Sequence, residues 1–124
     1  KRVCCGVALS PQGPGEPFFV PKSYESIRVP LLGISGSRDR QQKSTATNRK
    51  RSFILWPEDD RYLLWINNAD HMSFSDSTGS RRLSMRIRKR AEKVEDVQRV
   101  SRAATLLFFN KYLKHLADTK LTES

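Results

Sequence analysis

Three short apolar runs punctuate the chain, and each is continuous instead of alternating with polar residues. They are VCCGVAL at 3–9, VPLLGI at 29–34 and YLLWI at 62–66. Continuous apolar runs of this length are typical of strands that are covered on both faces in a parallel sheet. Each run is followed by turn-forming residues, which are SPQGPGEP, SGSRDR and NNADH in chain order. The pattern therefore predicts three parallel strands.

The segments between these runs must carry the chain back across the sheet, because parallel strands need crossover connections. The first crossover is rich in Gly and Pro, so we expect only a short helical turn near 23–27. The second, from about 41 to 53, predicts a modest helix with either Thr45 or Thr47 as its N-cap. A long helix is predicted from about 94 to 117, where apolar residues recur at intervals of three and four. The face expected to pack on the sheet comprises Val100, Ala103, Leu106, Phe109, Leu113 and Leu116, and it is widened by Leu107, Phe108 and Tyr112.

This order of elements predicts an α/β fold of three parallel strands with crossover segments and a long C-terminal helix. At 124 residues the chain is at most one domain. Three strands with little helical cover leave sheet edges exposed, so we expect the chain to be part of a larger sheet. The sequence starts directly on the approach to the first apparent strand, which favours a cut through a longer protein.

The apolar runs and the cysteines say little about the compartment. No run approaches the roughly 20 residues that span a bilayer, and the run at 3–9 is too short for a secretory signal. Cys4 and Cys5 are neighbours in an extended segment, so they cannot easily bridge each other. Without nearby histidines they also make no zinc site. We interpret both as small buried hydrophobic residues, and the localisation stays open.

The net charge of +10 comes from 23 Lys and Arg residues against 13 Asp and Glu residues. The basic residues concentrate at 37–51 and 81–90, which we interpret as solvated segments. The alternative is a binding module for nucleic acid or acidic surfaces, with an affinity that falls steeply with salt. That alternative depends on Arg86, Arg88, Lys89 and Arg90. Because the solvated interpretation is favoured, nucleic acid is not the expected partner.

Two residues suited to acid–base chemistry follow strands that we expect to be parallel. Asp39 follows the second apolar run and His71 follows the third. Chemistry in open α/β sheets lies outside the carboxyl ends of the strands, so both loops should open on one edge. A carboxylate there could orient the imidazole, whose other nitrogen would take a proton from a serine hydroxyl. Asp70 is a rival acid, but sequence neighbours rarely orient correctly, so Asp39 is preferred.

The motifs also resemble those of a known family. GISGSRD, followed 32 residues later by ADHMSF and then by ATLLFFNKYLKHL, is similar to the C-terminal portion of an α/β-hydrolase. The nearest branch comprises dienelactone-hydrolase-like and cutinase- or lipase-like enzymes. The resemblance covers residues 1–124 except for a basic insert at about 78–95. It implies hydrolysis of a small ester or lactone, with Asp39 as the acid and His71 as the base of a Ser-His-Asp triad. It implies no cofactor and no metal.

The sequence departs from this family at the nucleophile. The Gly-x-Ser-x-Gly motif does not occur, and GISGS at 33–37 lies on the strand expected to carry the acid. Ser35 is therefore a poor nucleophile candidate. Ser10 is followed by Pro11, which has no backbone N–H for an oxyanion.

We therefore expect the nucleophile and the oxyanion hole upstream of Lys1, and we expect this chain to be inactive alone. A non-catalytic remnant with the same fold is a further alternative, and the oligomeric state stays open. Met72 and Phe74 are expected to line an acyl pocket or to close the loop over the core.

Overall fold

The computed structural model describes residues 3–15, 19–75 and 85–114. Single 3-10 turns occur at Pro21–Tyr24 and His71–Phe74. The strands and helices follow one another as β1 (Gly6–Leu9), β2 (Leu31–Arg38), α1 (Ala46–Leu55), β3 (Arg61–Asp70) and α2 (Met85–Leu113).

The three strands form one parallel sheet with β2 between β1 and β3. This confirms the prediction of a small α/β arrangement with three parallel strands and a C-terminal helix. Val7 pairs with Leu32, and Leu32 pairs with Tyr62, so these side chains share one face of the sheet. On this face α2 covers the sheet, and the fully buried core comprises Leu32, Ile34 and Phe108.

The opposite face of the sheet is covered where the chain leaves α1. Gly33 lies on this face, and a Cβ added there would approach the Trp56 ring to 2.8 Å. A glycine is therefore needed for the Trp56 ring to lie on β2. The sheet is consequently covered on both faces, as the continuous apolar runs predict.

The two crossovers differ as expected from their composition. Among its described residues, 10–15 and 19–30, the first contains a 3-10 turn at Pro21–Tyr24, slightly earlier than predicted. The second contains α1, and its N-cap is Thr45, whose Oγ1 accepts a hydrogen bond of 3.2 Å from the Asn48 backbone N–H. Of the two proposed caps, Thr45 is therefore the one used.

Helix α2 begins earlier than predicted, inside the segment interpreted as a basic insert. Its predicted end beyond residue 114 lies outside the described residues, as does Leu116. The predicted buried face is wrong in part, because Val100, Leu106 and Leu113 are exposed. The face that packs on the sheet carries Phe109 as predicted, with Phe108 and Tyr112 from the widened part of the stripe, and in addition Val97 and Ala104.

The reason for this difference is the size of the aromatic contacts. The Phe108 ring lies 5.9 Å from the Tyr62 ring and 4.9 Å from the Tyr112 ring, measured between centroids. Aromatic side chains bury more apolar area than leucines do, so the aromatic stripe of α2 takes the sheet. A sequence with a wide apolar stripe on one helix does not by itself reveal which part of the stripe is buried.

The two cysteines are free and have different surroundings. Cys5 is half-buried and packs against the core, whereas Cys4 is exposed, so the interpretation of both as buried was wrong for Cys4. Burial raises the pKa of the Cys5 thiol, and the neighbouring Cys4 raises it further.

Candidate functional site

The carboxyl ends of all three strands lie on one edge of the sheet, because the strands are parallel. Ser10 follows β1, Asp39 follows β2 and His71 follows β3. The structure brings Asp39 and His71 together, with 3.1 Å between Asp39 Oδ1 and His71 Nδ1. The Asp39 side chain is fully buried, whereas the His71 side chain is 28% exposed. The pair therefore has a buried acid and an imidazole that reaches the surface.

Close strand packing determines where Asp39 leaves β2. The pairing of β2 with β3 shifts register between Gly36 and Arg38. A Cβ at Gly36 would lie 2.3 Å from the Ala69 carbonyl oxygen, so only glycine allows this approach. The Asp39 N–H donates to the Gly36 carbonyl over 3.0 Å, which closes a turn. This turn points the chain back into the molecule and accounts for the burial of Asp39.

His71 begins a 3-10 turn whose start is capped by Asp70. The Asp70 carboxylate accepts hydrogen bonds of 3.0 Å from both the backbone N–H and the hydroxyl of Ser73. Asp70, the rival acid, therefore has a capping role in this turn. The preference for Asp39 as the acid beside His71 agrees with this arrangement.

The buried Asp39 carboxylate has a partner on each oxygen. Ser35 Oγ donates to Oδ2 over 2.7 Å. Arg49 Nε lies 3.1 Å from Oδ1, a contact that is an ion pair by distance but is not aligned as a hydrogen bond. Both partners are themselves buried, Ser35 completely and Arg49 to within 3%. A buried carboxylate is tolerated in a fold only with such compensation.

Arg49 is the residue of this candidate site that sequence reasoning missed. It belongs to the basic segment at 37–51, which was interpreted as solvated, and that interpretation is wrong for Arg49. The signal was present in the helical spacing of α1. Arg49, Ser52 and Trp56 recur at intervals of three and four, and all three are buried.

Ser10 completes the polar contacts at this edge. Its Oγ lies 2.9 Å from His71 Nδ1, and its backbone has a positive φ of 54°. Arg49 Nη1 donates to the Ser10 carbonyl over 2.7 Å and lies 3.5 Å from the Pro11 carbonyl. The guanidinium therefore contacts the ends of both β1 and β2.

The position of Ser10 does not suit a nucleophile. It faces the same ring nitrogen as Asp39, and one nitrogen cannot donate to the carboxylate while accepting from the hydroxyl. An ionised carboxylate favours the tautomer with the proton on Nδ1, so Nε2 carries the lone pair. A triad serine would have to lie beside Nε2. Ser35 is unsuitable as well, because its hydroxyl is fully buried and donates to Asp39.

An apolar cavity of about 500 Å³ lies beside this edge, between the end of β1 and α2. Phe74 lines it, together with Leu9, Leu106 and Phe109. Met72 is half exposed and does not line this cavity. The cavity is large enough for an apolar group, and its lining residue Phe74 follows His71 by three positions in the sequence.

The sequence was compared with family models and with curated proteins, and neither comparison found a match. Within residues 3–15, 19–75 and 85–114, no group of three or more His, Cys, Asp or Glu side chains could hold a metal ion. In that same part of the chain, no helix has both the length and the apolar character needed to cross a membrane. The basic side chains at 81–90, on which the alternative binding function depends, lie outside the described side chains.

Proposed function

We propose that this chain contributes the acid and the base of a hydrolase that acts on carboxylic ester or lactone bonds. Asp39 orients His71, and His71 serves as general base and then as general acid for a serine. The observation that carries the proposal is the 3.1 Å contact between the buried Asp39 carboxylate and His71 Nδ1 at the carboxyl edge of a parallel sheet. That edge is where α/β enzymes place their reacting groups.

The roles of the two side chains follow from this contact. Nδ1–H donates to Asp39, which fixes the tautomer and stabilises the imidazolium that forms during the reaction. Among the described residues, the hydrogen bonds of the ring all involve Nδ1. Nε2 is therefore available to take the proton of a nucleophile and to return it to the leaving group.

The nucleophile in this proposal is a serine outside the 124 residues. Neither Ser10 nor Ser35 has suitable geometry, and Gly-x-Ser-x-Gly is absent from the sequence. In the described residues β1 pairs only with β2, so its other edge has unused hydrogen-bonding groups. A further parallel strand on that edge would belong to a larger α/β-hydrolase sheet and would end next to Ser10. A serine at its end would face the same rim as His71.

The test is hydrolysis of p-nitrophenyl esters by this chain and by the protein made from the complete gene. We expect activity only in the latter, with a loss of about a thousandfold or more for His71→Ala and Asp39→Asn. The matched control is His115→Ala, which removes the other histidine of the sequence and should leave the rate unchanged. Full activity in folded His71→Ala protein would reject the proposal.

Ser10→Ala distinguishes the proposed nucleophile from one inside this chain. We expect this variant of the complete protein to keep most of its activity, because Ser10 lies on the Asp39 side of the ring. A fluorophosphonate probe, which labels activated serines, should still label Ser10→Ala protein. Labelling that disappears in Ser10→Ala would instead identify Ser10 as the nucleophile.

A further inference from the structure

We infer that Arg49 is a positioning residue for the Asp39–His71 pair. Its guanidinium is buried where the ends of β1 and β2 meet. One edge contacts the Asp39 carboxylate through Nε at 3.1 Å, and Nη1 donates to the Ser10 carbonyl at 2.7 Å. No contact joins Arg49 to the His71 ring in the described part of the chain, so Arg49 acts on His71 through Asp39 and through the Ser10 turn.

A planar, forked cation suits this geometry. Arginine presents several N–H groups at fixed angles and stays charged, whereas a lysine offers a single point charge on a flexible stem. The Ser10 carbonyl reaches the guanidinium from a left-handed backbone conformation with φ of 54°, which is costly for a residue other than glycine. The bond from Arg49 offsets that cost and keeps Ser10 Oγ beside the His71 ring. One side chain thus fixes the acid and the adjoining turn.

Arg49 gives the buried Asp39 carboxylate a counterion. A fully buried carboxylate without a counterion would hold a proton or would retain imidazolium as its partner. With Arg49 as the counterion, the Asp39 carboxylate has a buried cationic partner at 3.1 Å that does not depend on the protonation of His71. The inference rests on the proposed function in one respect only, namely that a neutral His71 is the form that acts as a base.

Other charged groups pack around the site and must be considered. They differ from Arg49 in being exposed or in facing the 71–74 turn instead of the Asp39 carboxylate. They are Arg38 and Arg40 beside Asp39, Asp70 before His71, and Lys93, Asp96 and Arg102 on α2. Exposed charges are screened by solvent, so their effect on the pair is smaller than that of a buried counterion at 3.1 Å.

The test is an NMR titration of the His71 ring in the complete protein, with His115→Gln in the background so that a second ring does not interfere. In Arg49→Met we expect the His71 titration midpoint to rise by about one pH unit or more, because the pair then keeps its proton without a competing cation. In Arg49→Lys the shift of the His71 midpoint from its wild-type value should be at most half of the shift in Arg49→Met. The acidic limb of the hydrolysis rate profile should move in the same direction.

The matched control is Arg61→Met, because the Arg61 guanidinium also donates to backbone carbonyls, those at the end of α1, and contacts no carboxylate among the described residues. Arg61 Nη1 donates to the carbonyls of Phe53, Ile54 and Trp56 at 3.2, 3.0 and 2.9 Å. We expect Arg61→Met to lower thermal stability without moving the His71 midpoint. A comparable shift in Arg61→Met would show that any loosening of the fold changes His71, and it would overturn the inference.

A double-mutant cycle tests the route through Asp39. In an Asp39→Asn background the carboxylate charge is gone, so adding Arg49→Met should move the His71 midpoint by less than about 0.3 units. The double variant leaves no unpaired buried charge, whereas Asp39→Asn alone leaves the Arg49 guanidinium unpaired, so urea unfolding first confirms that each variant is folded. An undiminished shift there, or no shift in folded Arg49→Met protein, would overturn the inference. Because the NMR signals do not require ester hydrolysis, an inactive protein with the expected shifts would reject the proposed function and leave this inference standing.

Discussion

The two ends of the sheet each carry a network of polar side chains, and the networks have similar bond lengths. The carboxyl-end network comprises Ser10, Ser35, Asp39, Arg49 and His71, with contacts of 2.7 to 3.1 Å. The amino-end network comprises Asp60, Tyr62, Lys111 and Tyr112, with contacts of 2.7 to 2.8 Å. Hydrogen-bond distances alone do not distinguish a candidate functional site from a network that only stabilises the fold.

Burial and the use of each donor do distinguish them. The carboxyl-end network encloses an ion pair that water does not reach, and it leaves one ring nitrogen of His71 without a partner among the described residues. The amino-end network joins the start of β3 to the end of α2 through groups that water also reaches. In this network the Tyr62 hydroxyl accepts a hydrogen bond from Lys111, and the Tyr112 hydroxyl donates one to Asp60. The two networks therefore differ in burial and in the presence of a ring nitrogen without a partner among the described residues, and these two features support the choice of the carboxyl end as the candidate site.

The largest expected difference between the networks comes from removing one charge at each end. Asp39→Asn leaves the buried Arg49 guanidinium unpaired, and we expect a loss of about 3–5 kcal/mol in the free energy of unfolding. Asp60→Asn keeps the left-handed backbone that Asp60 adopts, with φ of 57°, and removes an exposed charge. Its cost should stay below about 1 kcal/mol. Urea unfolding measures both, and equal losses would contradict the comparison.

A smaller effect is expected for the neutral partner of the acid. Ser35→Ala leaves Asp39 Oδ2 without its 2.7 Å donor, and we expect a loss of about 1–3 kcal/mol. Ser52→Ala is the matched control, since Ser52 is equally buried and donates over 2.7 Å to the Arg49 carbonyl inside α1. That carbonyl lies within a helix and alanine favours helix, so the control should change stability by about 0.5 kcal/mol or less. If the Ser52 variant were the less stable of the two in urea, the carboxyl-end network would have no special weight.

The sequence was sufficient for the strands and their direction because they depend on local patterns. Continuous apolar runs predicted a parallel sheet, and Thr45 was among the predicted caps. Parallel order then placed Asp39 and His71 on the same edge, and they lie 3.1 Å apart. Their catalytic roles stay a prediction.

The features that the sequence did not predict depend on which side chains, from different elements, pack or pair with one another in the folded chain. Helix α2 has a wide apolar stripe, and its aromatic part with Phe108 is buried in preference to the part with Leu106. Arg49 was assigned to a solvated segment because composition does not reveal which basic residue of a segment has a buried carboxylate as its partner. Such ion pairs join residues from different elements, so no local pattern contains both partners.

At the amino end, Tyr112→Phe removes the hydroxyl that donates to Asp60 over 2.7 Å and lies 2.8 Å from the Tyr62 hydroxyl. We expect a loss of about 0.5–1.5 kcal/mol in the free energy of unfolding, because water can replace a partner at a half-buried position. Thermal unfolding of this variant beside Ser35→Ala would rank the two networks directly. A cost above that of Ser35→Ala would show that the amino-end network is the more strongly coupled one.

The smallest effect concerns pH and comes from the same tyrosine. Burial, followed by the hydrogen bonds with Tyr62 and Asp60, raises the pKa of Tyr112 above its ordinary value. The folded protein therefore holds this proton more tightly than the unfolded chain does. The resulting stability is fully present below about pH 10 and is lost as the pH rises further. Above that pH the unfolding free energy of the wild type should fall more steeply than that of Tyr112→Phe. The difference in absorbance at 295 nm between the wild type and Tyr112→Phe reports the Tyr112 phenolate. This difference should develop only well above pH 10. Ionisation of Tyr112 near pH 10 in the folded protein would contradict the raised pKa. It would show that burial and the hydrogen bonds of the amino-end network do not hold this proton.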